Sequence, residues 1–235
     1  MPEGGRQMEE DEVQRPDAED AIANVIARWR ERRKQVRPPA APTNLRLVPG
    51  EPAGIPQTPQ YPGVLLQAVV VDLGDKTNEG QLIQGVAIPW FEIIRELERD
   101  PDFLFKIHPR KLEEIIAGAY EREGFPEVIL TPQSGDRGRD VIATKPGIVC
   151  IRIIDQVKAY RRDRRVTADQ VCSVLGVLQR DRNVSKGVVT TTSHFAPGIY
   201  RDADLMAFVP YRLELKDGPQ LVQWLKSLLP GTEGK

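Results

Sequence analysis

Cysteine is scarce in this chain. Cys150 and Cys172 are the only two in 235 residues, both in apolar surroundings and without Cys-x-x-Cys spacing. A disulfide framework and a zinc centre are therefore not expected, and a reducing cytoplasm fits. Long apolar runs are missing too. The longest, around 61–73 and 147–154, fall well short of the roughly 18 to 20 residues of a membrane helix, so no membrane partner is expected. The opening M-P-E-G-G-R-Q-M-E-E-D-E is acidic where an export signal would be basic and then apolar, so none is expected.

An excess of either charge is also lacking, with 33 Lys and Arg against 34 Asp and Glu. That balance hides two opposite segments. Residues 1–20 hold eight carboxylates and two arginines, a net of −6, whereas residues 134–187 hold twelve Lys and Arg against six Asp, a net of +6. The positive charge is concentrated in Arg161, Arg162, Arg164 and Arg165. Near-neutrality of the whole chain therefore excludes no polyanionic partner.

What is present divides into an arm and an α/β body. Residues 1–60 read as a Pro- and charge-rich arm with one helix near 17–36, where Ala21, Ile22, Val25, Ile26 and Trp29 recur at helical spacing. Residues 61–106 read as a small β-hairpin followed by a helix: strands at Tyr61–Leu73 and Leu82–Ile88 around the turn G-D-K-T-N-E-G, then Trp90–Arg99. Residues 107–230 read as the main domain. A helix runs from Pro109 to Gly124, burying Leu112, Ile115, Ile116, Ala119 and Tyr120. Strands follow at Glu127–Thr131, Val141–Thr144 and Ile148–Val157, the last apolar enough for a central place in a sheet. Thr167 and Gln170 form a capping box for a helix carrying Val171, Val174, Leu175 and Leu178. K-G-V-V-T-T-T, then Phe208–Leu215, supply two more strands, and Asp217 caps a last helix. The expected fold class is α/β, with a mixed central sheet flanked by helices.

The chemistry-bearing stretch runs from S-G-D-R-G-R-D (134–140) to the strand ending Q-V-K (156–158). Strand alternation puts Gln156 and Lys158 on one face and Asp155 and Val157 on the other. Asp140, Gln156 and Lys158 can then converge as two oxygen donors and an ammonium. Mg²⁺ accepts such a set when waters and a phosphate complete its shell, and the reaction implied is metal-assisted phosphodiester hydrolysis.

At these residues the sequence resembles the Mrr-like restriction endonucleases of the PD-(D/E)xK nuclease superfamily. The resemblance covers roughly 108–229 and rests on five segments in order: H-P-R-K-L-E (108–113), G-F-P-E-V (124–128), S-G-D-R-G-R-D, Q-V-K and T-T-T-S-H-F (190–195). It implies a restriction-endonuclease-like fold, Mg²⁺ or Mn²⁺ as cofactor, DNA as substrate, and a role in bacterial defence. It also implies a catalytic core of Asp140, Gln156 and Lys158, with Glu113 as an accessory metal ligand. The chain departs from the family's usual E-C-K-R-Y-like segment in having Gln156, which supplies an acceptor without a charge, and Ala159 in place of a basic residue.

Plainer readings compete at each position. Asp140 could serve only its Gly-rich turn, Glu113 borders an apolar stripe and could simply be exposed, and His194 could merely end a strand. The Gly-rich turn lacks Gly-Lys-Ser or Gly-Lys-Thr and opens no helix, so a P-loop is not expected. Arg139 and the four arginines of 161–165 are the expected phosphate contacts, because the run directly follows the catalytic strand. A rival reading keeps the nuclease fold as a DNA-binding or complex-assembly module with weak or no catalysis. A third is a structure-specific or RNA nuclease. Cutting both strands of a duplex needs two sites, so a homodimer is expected.

Overall fold

The computed structural model describes residues 69–133 and 138–229, together with Ala27. Apart from Ala27, the helix expected near 17–36, the rest of the 1–60 arm and residues 61–68 of the first expected strand lie outside the described residues, as does Ser134–Arg137 of the Gly-rich turn.

Seven strands form one mixed sheet: β1 (Val71–Lys76), β2 (Gln81–Val86), β3 (Glu127–Leu130), β4 (Val141–Lys145), β5 (Ile151–Lys158), β7 (Lys186–Thr191) and β9 (Leu213–Lys216), in that spatial order. Pairing is antiparallel from β1 to β5 and parallel from β5 through β7 to β9. Parallel neighbours need a crossover, and α4 (Ala168–Arg180) supplies the one between β5 and β7. A short parallel pair, β6 (Arg165–Val166) with β8 (His194–Phe195), stands apart from the main sheet.

Period-two alternation divides the apolar side chains between two cores. Val128, Leu130, Val141, Ala143 and Val157 pack with α1 (Trp90–Arg99), α3 (Pro109–Arg122) and α6 (Gly218–Ser227). Ile129, Ile142, Ile154 and Val189 point the other way, onto Val171, Val174, Leu175 and Leu178 of α4. The result is an α/β/α layering with β5 inside the sheet, as its apolar run implies.

The N-terminal hairpin continues this sheet, because β2 pairs with β3. Trp90 at the start of α1 is buried and donates its indole N–H to the Leu225 carbonyl of α6 at 2.9 Å. Hairpin and helix thus share the sheet and core of the following domain.

Several boundaries differ from the sequence reading, each for a local reason. β1 runs on through Gly74, Asp75 and Lys76, since an edge strand exposed on one side accommodates polar residues. The turn contracts to Thr77–Gly80, closed by Thr77 N–H to Gly80 C=O at 2.7 Å. β5 begins only at Ile151, and Ile148 and Val149 are exposed in the β4–β5 connection. The last strand narrows to Leu213–Lys216, and two one-turn helices, α2 (Phe103–Lys106) and α5 (Ala203–Met206), carry too little periodicity to stand out in sequence. No helix among the described residues is long and apolar enough to cross a membrane.

Candidate active site

The H-P pair at 108–109 opens α3. His108 Nδ1 accepts the Arg110 N–H at 3.2 Å and Pro109 occupies the first turn, where its missing N–H costs nothing. The helix lies along the sheet and carries Tyr120 to the buried side of β5.

Asp140 sits just before β4. Its N–H donates to the Asp155 carbonyl at 2.9 Å, and its Oδ2 accepts the Val157 N–H at 2.6 Å. A carboxylate thus takes the place of the carbonyl that would extend the β4–β5 ladder beyond Asp155. The backbone around Asp140 is fixed from the other side by Thr131, whose N–H donates to the Asp140 carbonyl at 3.0 Å and whose hydroxyl donates to the Arg139 carbonyl at 2.5 Å.

Gln156 has 8% exposure and occupies the α4 face of β5, where its Oε1 is 3.4 Å from Ser173 Oγ. Gly138, at φ +79°, passes so close that a Cβ there would lie 3.0 Å from Gln156 Nε2. Any other residue would meet both a left-handed backbone and this contact. Lys158 is part-exposed at the end of the same strand, two residues on and therefore on the same face. Its backbone is held by the threonine run: the Lys158 carbonyl accepts Thr191 Oγ1–H at 2.9 Å and the Thr192 N–H at 3.2 Å. Thr192 Oγ1 also accepts the Tyr160 N–H at 2.8 Å and donates to the Tyr160 carbonyl at 2.6 Å. The T-T-T segment therefore pins the chain just beyond Lys158.

Asp155 faces the opposite way and is 0% exposed. Its Oδ2 accepts Tyr120 O–H at 3.0 Å and Thr190 Oγ1–H at 2.8 Å, while its buried Oδ1 has no hydrogen-bond partner among the described residues. Burial pushes the Asp155 carboxyl above the usual range against the pull of Lys216 and the two hydroxyls. Burial, and then the neighbouring Asp155, push the Tyr120 phenol well up. Lys216 closes this cluster with its ammonium 3.5 Å from the centre of the Trp224 ring and 3.6 Å from Glu214 Oε1.

The other expected site residues are engaged as follows. Glu113 pairs with Arg110 at 2.8 Å, and Arg110 also donates to the Thr131 carbonyl at 2.8 Å, linking Glu113 to the Asp140 segment through an intermediary. Arg139 pairs with Glu79 at 3.2 Å and Asp181 at 3.4 Å. Arg161, Arg162, Arg164 and Arg165 are all exposed; Arg162 pairs with Asp102, and Arg164 stacks 3.9 Å from the Tyr160 ring centre. His194 lies 3.5 Å from Asp217 at the far strand pair. The sequence reading missed Ser173 and Thr131, neither of which carries a local cue, and the Tyr120–Asp155–Thr190 cluster. A lone acid in an apolar strand was the cue for that cluster.

Among the described residues no three His, Cys, Asp or Glu side chains gather as a metal cluster. The donors that do face one end of β5, the Asp140 carboxylate and the Gln156 amide oxygen, suit a hard cation that keeps most of its shell as water and phosphate oxygen.

Comparison with known proteins identifies the family. A family model described as restriction endonuclease, of the Mrr catalytic type, matches residues 104–225. No curated protein matches the chain. Among solved structures the chain is similar to the DNA modification-dependent restriction endonuclease AspBHI, at 20% identity and a TM-score of 0.40, over 68% of this chain and 40% of that one. It thus spans less than half of that protein's length. With the model matching more than half of its residues, this chain belongs to the Mrr-type restriction endonuclease family.

Proposed function

We propose that the chain is a metal-dependent DNA endonuclease that hydrolyses phosphodiester bonds in defence against foreign or modified DNA, acting in the cytoplasm. The observation that carries this reading is the seating of the Asp140 carboxylate on the Val157 N–H, between Gln156 and Lys158. Bound Mg²⁺, or Mn²⁺, would supply Lewis-acid polarisation of the scissile phosphate. Asp140 and Gln156 would hold it. The Val157 N–H fixes one Asp140 oxygen, so the carboxylate is pre-oriented instead of swinging freely. Lys158, its backbone clamped by Thr191 and Thr192, orients the attacking water and offsets the charge that grows on the phosphoryl oxygens. Glu113, through Arg110 and Thr131, steadies the Asp140 segment and becomes a ligand only if its pair with Arg110 opens. Two copies of the chain would cut the two strands of a duplex.

Asp140→Asn is the cleanest test, because its amide oxygen still accepts the Val157 N–H while the charge is lost. Asp140→Asn and Lys158→Ala should each reduce Mg²⁺-dependent nicking of plasmid by more than about a hundredfold, with unchanged melting curves. Full activity in either purified variant would sink the assignment.

One observation favours a second reading. Gln156 brings an acceptor but no charge, which suits a DNA-binding module with weak or no catalysis. Binding of DNA by the wild type without cleavage in Mg²⁺ or Mn²⁺ would select it.

A further inference from the structure

Gln156 of β5 meets α4 through one side chain, Ser173. The start of α4 is fixed by its capping box, in which Gln170 Oε1 accepts the Thr167 N–H at 3.0 Å. About one turn further on, the exposed Ser173 sends its hydroxyl back to the Gln170 carbonyl at 2.7 Å. Gln156 Oε1 stands 3.4 Å from the same hydroxyl oxygen. A serine has a single hydroxyl hydrogen. It cannot serve both oxygens well, and the contact to Gln170, at an ordinary O–H···O length, has the stronger claim on it. What Ser173 then turns toward Gln156 is a lone pair, which calls for a donor.

Gln156 carries such a donor at the other end of its amide. Its Nε2 lies on the Gly138 side, where a Cβ would stand 3.0 Å from it, and none of the described residues accepts from it there. The two ends of an amide are nearly alike in size, so hydrogen bonding decides which way round it sits. Turned over, Nε2 donates to Ser173 Oγ, and Oε1 comes to the Gly138 side, two residues along the chain from Asp140. Two acceptors set against each other become a donor and an acceptor. Back-bonding of a serine to the carbonyl three residues earlier is common in helices and accounts for the bond to Gln170. It does not account for a hydroxyl set against a glutamine of the neighbouring strand.

We infer that Ser173 is a positioning residue: it accepts the Gln156 amide N–H and so aims the amide oxygen at the side where Asp140 would hold the cation. The inference rests on the metal-dependent nuclease reading and deepens it. A carboxylate at 156 would need no such partner, because it has an oxygen at either end. A neutral amide needs one, since its NH2 end repels a cation. Ser173 is thus the companion of the uncharged residue at 156.

The test uses the full chain as wild type, Ser173→Ala, Gln156→Glu and the double variant. Mn²⁺ binding without DNA is followed by the electron paramagnetic resonance of the free ion, and nicking of plasmid is followed against Mg²⁺ concentration. Ser173→Ala should weaken Mn²⁺ binding and raise the Mg²⁺ midpoint by about three- to tenfold, the size of one neutral hydrogen bond. Turnover at saturating Mg²⁺ should change by less than the midpoint does. In the Gln156→Glu background Ser173→Ala should raise neither value. A merely structural contact would instead lower the melting temperature in chelator and shift metal binding equally in both backgrounds. Wild-type Mn²⁺ affinity and Mg²⁺ midpoint in Ser173→Ala, or an equal shift in both backgrounds, overturns the role of Ser173 and leaves the nuclease reading standing. If the wild type binds Mn²⁺ and cleaves nothing, the nuclease reading fails while the Mn²⁺ titrations still decide for or against Ser173. If it neither binds Mn²⁺ nor cleaves, both fall together.

Discussion

Asp155 and Gln156 are consecutive residues of one strand, both nearly inaccessible to solvent, and they have opposite fates. Asp155 faces α3 and α6, where Tyr120 and Thr190 donate to one of its oxygens and Lys216 lies within reach of its charge. Gln156 faces α4 beside Gly138 and Ser173, in line with Asp140 and Lys158. The comparison teaches that formal charge does not decide which way a strand residue is turned. The charged side chain has been turned toward α3 and α6 and tied to hydroxyls, and the neutral amide has been turned toward α4.

The largest effect that would break this comparison is on stability. Asp155→Ala strands two buried hydroxyls and a neighbouring ammonium, and each unsatisfied buried group costs about 1 to 3 kcal/mol. We expect a loss of about 3 kcal/mol or more in urea unfolding. Gln156→Ala forfeits only a long contact to Ser173 and should lose about 1 kcal/mol or less. Equal losses would mean that the two faces are equally structural.

A second test sharpens the comparison at the metal. Gln156→Glu adds a charged oxygen of nearly the same shape, so half-maximal cleavage should need on the order of tenfold less Mg²⁺. Turnover should move independently, since a charged ligand quenches the polarising field of the metal. Asp155→Asn should leave the Mg²⁺ midpoint where it was. Movement of the midpoint in Asp155→Asn, with none in Gln156→Glu, would make the buried residue the ligand.

The smallest effect concerns pH. The folded-state pKa of Asp155 is raised by burial, so between the unfolded value and the raised one the folded protein binds more protons than the unfolded. Stability from this group is then full at low pH and falls as pH rises through that window. Asp155→Asn keeps an acceptor for both hydroxyls and has no such dependence. Its melting temperature in chelator should therefore gain on the wild type as pH rises above the ordinary aspartate range, and the gain should level off above the raised value. A gain that shrinks with rising pH would show that Lys216 holds Asp155 ionised.

Much of this molecule follows from local patterns. Alternation along 127–130, 141–144 and 151–158 assigns the buried apolar side chains to two cores and separates Asp155 from Gln156 without any tertiary information. Capping chemistry is equally local: Asp217 Oδ1 accepts the Gln220 N–H at 3.1 Å, and Gln220 returns a bond to the Asp217 N–H at 3.0 Å. The order of the five motifs, each a short-range device, carries the family.

Tertiary structure decided how those devices are used. Pairing of β2 with β3 joins the hairpin to the sheet, a contact between residues nearly fifty apart that no local signal encodes. Asp140 takes the Val157 N–H across 17 residues, Arg139 reaches Glu79 across 60, and Asp155 meets Tyr120 and Thr190 across 35 on either side. Periodicity tells which face of an element is apolar, because that is fixed within a few residues. Which polar groups meet on that face depends on chain closure over tens of residues, and only the packed sheet sets it.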